Sequence, residues 1–215
     1  MTPSPQDDPK TLVSTDWLAK HLRDPDLRVL DASWYLPAQN RDAKAEYDAA
    51  HIPGARFFDI DEISDQRSSL PHMAPPPEKF ISRMRAMGVG DGHQVVVYDG
   101  SGIFSAARVW WTFRLMGKTD VAVLDGGFPK WQAEGREIED MPPVIRDRHM
   151  TVSRQNQLVK DVTQVAHAAK LGEAEILAGL RTTLDTTTVV VAHRVSTIEL
   201  ADRILFLDQG RVAAT

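Results

Sequence analysis

The most distinctive candidate site is a glycine-rich loop between a strand pattern and a helix pattern, in the stretch QVVVYDGSGIFSAARVWWTFRL. Loops of this kind often hold a nucleophile or an anion, because their backbone N–H groups point to one spot. Here the strand ends in Asp99, followed by Gly100, Ser101 and Gly102. A carboxylate accepts hydrogen bonds and does not attack as a thiolate does. The loop therefore predicts either a carboxylate facing N–H donors or a simple cap for the next helix.

Composition limits the chemistry that the chain can perform. Its 215 residues contain no cysteine, which excludes disulfides, thiolate metal sites and covalent chemistry on a sulfur atom of this chain. The formal net charge of -5, without a basic stretch, argues against nucleic acid and leaves small molecules or proteins as partners. No signal pattern and no membrane-spanning apolar run is visible, so we expect a cytoplasmic protein.

The elements that must position the loop alternate between strands and helices as far as about residue 135. LRVLDASW, QVVVYD and DVAVLD predict buried strands, and TDWLAKHLRD, PPPEKFISRMRAMGV and ARVWWTFRLMG predict helices. Thr15 is the expected N-cap of the first helix. This alternation predicts an α/β domain with a central parallel sheet flanked by helices.

Several separated motifs resemble those of rhodanese domains. HIPG at 51–54, preceded by Tyr47, resembles one signature, and LDGG at 124–127 resembles another. The motif residues are His51, Pro53 and Gly54 in the first and Asp125, Gly126 and Gly127 in the second. VLDASWYLP, FFDIDEISD and SAARVWWTFR are similar to the N-terminal half of two-domain mercaptopyruvate and thiosulfate sulfurtransferases. The resemblance runs from about residue 14 to about residue 171.

The resemblance implies a sulfur-transfer enzyme of two rhodanese domains, of which only the second carries the cysteine that becomes a persulfide. The loop at Asp99 is then a degenerate copy of the catalytic loop, with Asp99 where the other domain has cysteine. Asp61 and His72 match the acid and the histidine that the first domain presents to the interdomain cleft. The residues alone leave solvated surface roles open for both. For His51 we expect hydrogen bonds that hold its turn.

After about residue 172 the sequence changes character. The last forty residues resemble the C-terminal part of an ABC-transporter nucleotide-binding domain, and His193 lies at the position of the switch histidine of that domain. No phosphate loop or Mg²⁺-binding Asp-Glu pair accompanies it, so we expect a structural or vestigial His193 and no cofactor. The predicted segments are a rhodanese-like domain at 1–140, a linker and helix at 141–172, and a short α/β, ABC-like tail at 173–215. The tail is interpreted as a fusion, or as a module that binds a protein partner.

Two classes of function remain open from the sequence. One is a sulfurtransferase that is inactive alone, with 3-mercaptopyruvate or thiosulfate as its small anionic donor and a thiolate from another molecule. The other is a non-enzymatic module that binds an anion or a protein. An ATP-binding remnant is a third reading, and it depends on His193 alone. Arg108 and Arg114, on the helix after Asp99, are candidates to reach an anionic donor or simply to point into water.

Overall fold

The computed structural model of the protein describes residues 7–171, 206–208 and 211–214. It divides the chain into a first unit that ends at Asn156 and a second that begins at Gln157. The strands of the first unit are β1 (Leu12–Val13), β2 (Leu27–Asp31), β3 (Arg56–Phe57), β4 (Gln94–Tyr98) and β5 (Val121–Leu124). Its helices are α1 (Thr15–His21), α2 (Ala43–Ala49), α3 (Ile60–Ile63), α4 (Pro77–Ala86), α5 (Ala106–Leu115) and α6 (Gly127–Ala133), with a 3-10 turn at Pro37–Gln39.

In the described part of the first unit the five strands form one sheet, in the order β1-β5-β4-β2-β3, and all neighbouring pairs are parallel. The prediction of a parallel sheet flanked by helices is confirmed. The central strand β4 is buried on both faces, as its unbroken β-branched run indicates. Asp31 at the end of β2 is in register with Tyr98 at the end of β4. The loop at Asp99 therefore starts beside the end of β2.

The sheet separates two apolar layers. On one face, Val96 and Tyr98 belong to a buried cluster that includes Tyr47, Ile52 and Trp131. Val95 and Val97 alternate to the opposite face and are fully buried there. Burial of both layers fixes the register of β4, because a slip by one residue would exchange its two sets of side chains.

The first helix begins differently from the prediction. Ser14, not Thr15, is the N-cap of α1, since its hydroxyl accepts a hydrogen bond from the Trp17 N–H at 3.1 Å. Thr15 is the first helical residue, and it is buried. The sequence STDWLAKHL has two hydroxyl residues in succession, Ser14 and Thr15, and the first of them is the cap.

An extended segment at 145–155, here called the strap, packs along the first unit. The Ser153 N–H donates to the carbonyl of Met116 at 3.0 Å, and both the N–H and the hydroxyl of Thr151 donate to the Asp91 carboxylate at 2.7 Å. The first unit therefore extends to residue 156, beyond the boundary predicted at 140. The strap lies within the predicted linker, and its hydrogen bonds attach it to the domain.

The second unit is described only in part. Helix α7 (Val162–Leu171) lies in the predicted helical stretch, and β6 (Phe206–Asp208) pairs antiparallel with β7 (Arg211–Ala214). The ABC-like strand with His193 lies outside the described residues, and so does the predicted junction at 172–176. Within the part of the chain that the structure describes, none of the helices has both the length and the apolar character needed to cross a bilayer.

The packing of the strap leaves no space for a side chain at Gly117. This residue has φ +90°, and a Cβ on it would lie 2.6 Å from the Ser153 carbonyl oxygen. Gly135 has φ +66° but open space around a Cβ. We expect Gly135→Ala to lower the free energy of unfolding by about 1 kcal/mol through backbone strain alone. Gly117→Ala should cost about 3 kcal/mol, because it also displaces the strap. Equal losses in urea denaturation would contradict a packed strap.

A buried histidine predicts the acid sensitivity of the fold. The Gly90 N–H donates to Nδ1 of His93 at 2.9 Å, which requires that nitrogen to be unprotonated. Burial, with Arg28 and Arg148 nearby, lowers the pKa of His93 to about 4. The unfolded chain, with a pKa of about 6.5, then binds a proton between pH 6.5 and 4 that the folded chain does not. Stability should therefore fall as the pH falls through this window.

The variant that checks this is His93→Gln. We expect its free energy of unfolding, measured in urea at pH 7, 5.5 and 4.5, to fall less steeply with acid than that of the wild type. His167→Gln, at an exposed position, should keep the wild-type slope. A wild-type slope in His93→Gln would show that other groups cause the acid sensitivity.

Candidate functional site

The glycine-rich loop after β4 is closed by the side chain of Asp99, which is 1% exposed. One carboxylate oxygen accepts from the Ser101 N–H at 2.9 Å, and the other accepts from the N–H groups of Phe104 and Ala106 at 2.7 and 2.9 Å. Ala106 is the first residue of α5. The carboxylate therefore faces a cradle of N–H donors and at the same time caps the helix. Three donors that an external anion would need are used by the chain itself.

A polar chain supports this loop from β2. The Gly100 N–H donates to the hydroxyl oxygen of Ser33 at 2.9 Å, and the Ser33 N–H donates to the Asp31 carboxylate at 2.8 Å. Asp31 is 3% exposed, and this burial raises its pKa although Ser33 and Tyr98 hydrogen bonds oppose the shift. Two buried carboxyl groups thus stand at the ends of adjacent strands, and both are occupied by internal hydrogen bonds.

The LDGG motif at 124–127 supports the loop from the other side. The Phe128 N–H donates to the backbone carbonyl of Asp99 at 3.0 Å. Gly127 has φ +54°, and a Cβ on it would lie 2.5 Å from that same carbonyl oxygen. Gly126, also at positive φ, precedes α6 as its N-cap, and Asp125 forms an ion pair with Lys130 at 3.4 Å. The motif brings the start of α6 against the Asp99 loop.

The HIPG motif forms a buried turn away from this loop. Nδ1 of His51 lies 2.7 Å from the Tyr47 carbonyl oxygen, and the two rings stack with centroids 4.2 Å apart. The Gly54 N–H, next to Pro53, donates to the Glu139 carboxylate at 2.5 Å. These contacts attach the segment at Glu139 to the turn, and they give His51 a structural environment.

Asp61 and His72 come together in space. Nε2 of His72 lies 2.6 Å from Oδ1 of Asp61, a distance at which this nitrogen donates a hydrogen bond to the carboxylate. The indole N–H of Trp34 lies 3.2 Å from each oxygen of the same carboxylate, and its ring meets the His72 ring edge to face at 5.0 Å. Asp61 is fixed on α3, whose first turn is capped by the side chain of Asp59. We call this arrangement the Asp61–His72 pair.

Trp34 connects the pair to the Asp99 loop. Its ring stacks at 6.5 Å on Phe104, which donates an N–H to Asp99. Sequence reasoning missed both aromatic residues. The available signal was their position, since Trp34 comes three residues after β2 and Phe104 shortly after β4, and parallel strands end at one edge of a sheet.

The two candidate arginines of α5 have different surroundings. Arg108 donates to the backbone carbonyl of His72, and burial lowers the pKa of its guanidinium. Arg114 donates to the carbonyl of Lys10 at 3.1 Å and stacks over Trp110. Only Arg108 of these two therefore reaches the Asp61–His72 pair, and it does so through the backbone.

The surface beside the pair is open and contains carboxylates that form ion pairs with neighbouring cations. A depression of about 430 Å³ lies over the loop from Asp61 to His72 and includes Glu62 and Asp65. Near it, Ile103 and Phe104 at the tip of the Asp99 loop are about half exposed. Among the residues that the structure describes, no three histidine or acidic side chains converge as a metal site.

The closed loop gives a prediction for Asp99→Asn. The amide would offer one acceptor oxygen and would turn an NH₂ group toward the remaining N–H donors. We expect a loss of about 1–3 kcal/mol in the free energy of unfolding, the cost of buried donors without a partner. Asp125→Asn, at the half-exposed ion pair, should cost less than about 1 kcal/mol. Wild-type stability of Asp99→Asn in urea denaturation would mean that the cradle does not depend on this carboxylate.

Residues 14–134 match the family model described as Rhodanese-like domain. The chain is 56% identical over 128 residues to thiosulfate/3-mercaptopyruvate sulfurtransferase 1, mitochondrial, of Arabidopsis thaliana, covering 60% of this chain and 34% of that one. It superposes on the 3-mercaptopyruvate sulfotransferase SseA of Escherichia coli with a TM-score of 0.71 and 39% identity, over 74% of this chain and 61% of that chain. For the sulfur transferase subunit of yeast mitochondrial complex I the TM-score is 0.67 and the identity 30%, over 74% and 57%.

The chain thus spans between 34% and 61% of the length of these relatives. The family model ends well before residue 173, and the ABC-like reading of the C-terminal segment stays a prediction. The matched residues make up more than half of the chain and contain four of the five strands of the parallel sheet, β2 to β5, while β1 lies just before them. The chain therefore belongs to the family of rhodanese-like domains.

Proposed function

We propose that this chain is the non-nucleophilic rhodanese-like half of a sulfurtransferase, and that the sulfur-carrying thiolate comes from outside these 215 residues. The observation that carries the proposal is the Asp61–His72 pair, which lies beside a loop whose N–H cradle holds Asp99 and no nucleophile. The pair is a proton-handling group at the edge of the sheet where a partner's thiolate would have to arrive. The sulfurtransferase names of the relatives support the reaction class.

The chemistry divides between the two halves. A partner's thiolate attacks the sulfane sulfur of thiosulfate or the thiol sulfur of 3-mercaptopyruvate to form a persulfide. With thiosulfate the S–S bond breaks and sulfite leaves, whereas with 3-mercaptopyruvate the C–S bond breaks and the thiol proton ends on the methyl carbon of pyruvate. A thiophilic acceptor such as cyanide then takes the outer sulfur, and the thiolate returns. Moving the proton in the second case is the task we assign to His72, which Asp61 orients.

Binding of the donor also requires the partner. The depression beside the pair includes Asp61, Glu62 and Asp65, and the cations next to it are already in ion pairs. Glu62 binds Lys79 and Arg83, and Asp65 binds Arg67. Arg108 is directed at a carbonyl oxygen. The cations that hold thiosulfate or the mercaptopyruvate carboxylate should therefore belong to the partner.

A non-enzymatic module is the second candidate. The half-exposed side chains of Ile103 and Phe104 favour a protein partner at the loop tip. The occupied cradle argues against the version in which this loop holds an anion. For the ATP-binding reading no supporting contact exists among the described residues, since His193 is not one of them.

Sulfur transfer to cyanide tests the proposal. The purified chain, with either donor, should form no thiocyanate above background, because it has no thiolate. Added to a separately produced rhodanese domain that carries cysteine at the position of Asp99, it should raise thiocyanate formation above that of this second domain alone. His72→Gln and Asp61→Asn should reduce the increase by about 100-fold or more, as expected for loss of a general acid or base.

Arg114→Met is the matched control, since Arg114 lies on the same helix but contacts Lys10, and it should leave the increase unchanged. Thiocyanate formation by the chain alone would contradict the absence of a nucleophile. Binding of the second domain without any increase in rate would favour the non-enzymatic module.

A further inference from the structure

His72 adopts a backbone conformation that histidine seldom takes. Its φ is +54°, in the left-handed region. For a residue other than glycine this backbone conformation is less favourable by about 1–2 kcal/mol of free energy. Such a conformation persists only where several contacts hold it. One contact is the hydrogen bond to Asp61, another is the edge-to-face contact with Trp34, and the third acts on the backbone carbonyl of His72 itself.

Arg108 makes that third contact. Its side chain extends from α5 and lines a cavity of about 10 Å³ with Ile60 and Ile63 of α3 and with Pro75. From there the guanidinium donates to the carbonyl oxygen of His72. No carboxylate of the described residues forms an ion pair with Arg108. The hydrogen bond to the His72 carbonyl is therefore an important contact of this half-buried guanidinium.

We infer that Arg108 is a positioning residue that holds the left-handed backbone of His72 and thereby keeps the imidazole on Asp61. The inference rests on the proposed function, since it concerns the pair that handles the proton. Without the guanidinium the His72 carbonyl loses a charged donor, and the backbone can relax to negative φ. The imidazole would then leave the carboxylate, because the peptide that directs it has turned.

The hydrogen bond between Arg108 and His72 also gives the Asp99 loop a structural role. Asp99 caps α5 at Ala106, and Arg108 lies two residues further along that helix. The carboxylate in the cradle therefore fixes the start of the helix from which Arg108 reaches His72. In this arrangement the Asp99 loop positions α5, and Arg108 of α5 in turn positions His72 in the Asp61–His72 pair.

The test reads the ring of His72 directly and needs no sulfur transfer. Nitrogen-15 NMR of the full chain reports the tautomer, and the wild type should show a single form protonated at Nε2. Arg108→Met and the shorter Arg108→Gln should both lose this signature and show mixed tautomers, as Asp61→Asn should. Arg114→Met should keep it, because Arg114 donates to Lys10 instead.

Wild-type ring shifts in either Arg108 variant that keeps a folded amide spectrum would overturn the inference. Two variants are used so that the failure of one to fold leaves the other to decide. An equal change in Arg114→Met would also overturn it, because the effect would then come from α5 as a whole. If an Arg108 variant loses the tautomer signature and sulfur transfer in the two-component assay is unimpaired, the positioning by Arg108 is supported. The same result would contradict the role of the pair in proton transfer.

Discussion

A carboxylate taken out of water needs hydrogen-bond donors, and the rest of the site depends on how Asp99 finds them. Three backbone N–H groups of one short loop converge on it, and one of them belongs to the first residue of α5. Charge-assisted bonds in a buried place are among the strongest that a protein makes. The side chain of Asp99 thus closes the loop, and the neighbouring helix begins at a defined residue.

In the proposed function this site contributes one half of a reaction. His72 and Asp61 hold and move the proton, and the other half must come from a partner. Nothing in the sequence supplies the soft nucleophile that sulfur transfer needs, since cysteine is absent. The proposed function accounts for this absence by a thiol-bearing partner that faces the Asp61–His72 pair.

Local patterns were sufficient to predict the sheet, because β-branched runs and glycine turns act over a few residues. They were not sufficient for contacts between distant segments. Trp34 reaches Asp61 across 27 positions, and no periodicity signals that pairing. The resemblance to a family brought Asp61 and His72 forward together, whereas the role of Arg108 depends on a backbone conformation that only coordinates reveal. The same holds for the strap, which lies in the predicted linker and whose hydrogen bonds to the domain no local pattern indicates.

The strap also determines when the domain can be complete. Met150 is almost fully buried and Ser153 bonds to the end of α5, so the first unit lacks part of its core and edge until these residues are present. On a ribosome, which adds residues from the N-terminus, the sheet would emerge and pair before this last segment leaves the exit tunnel. Closure of the strap is then the final step of co-translational folding, and a pause in translation shortly after the strap would give this domain time to finish before the second unit appears.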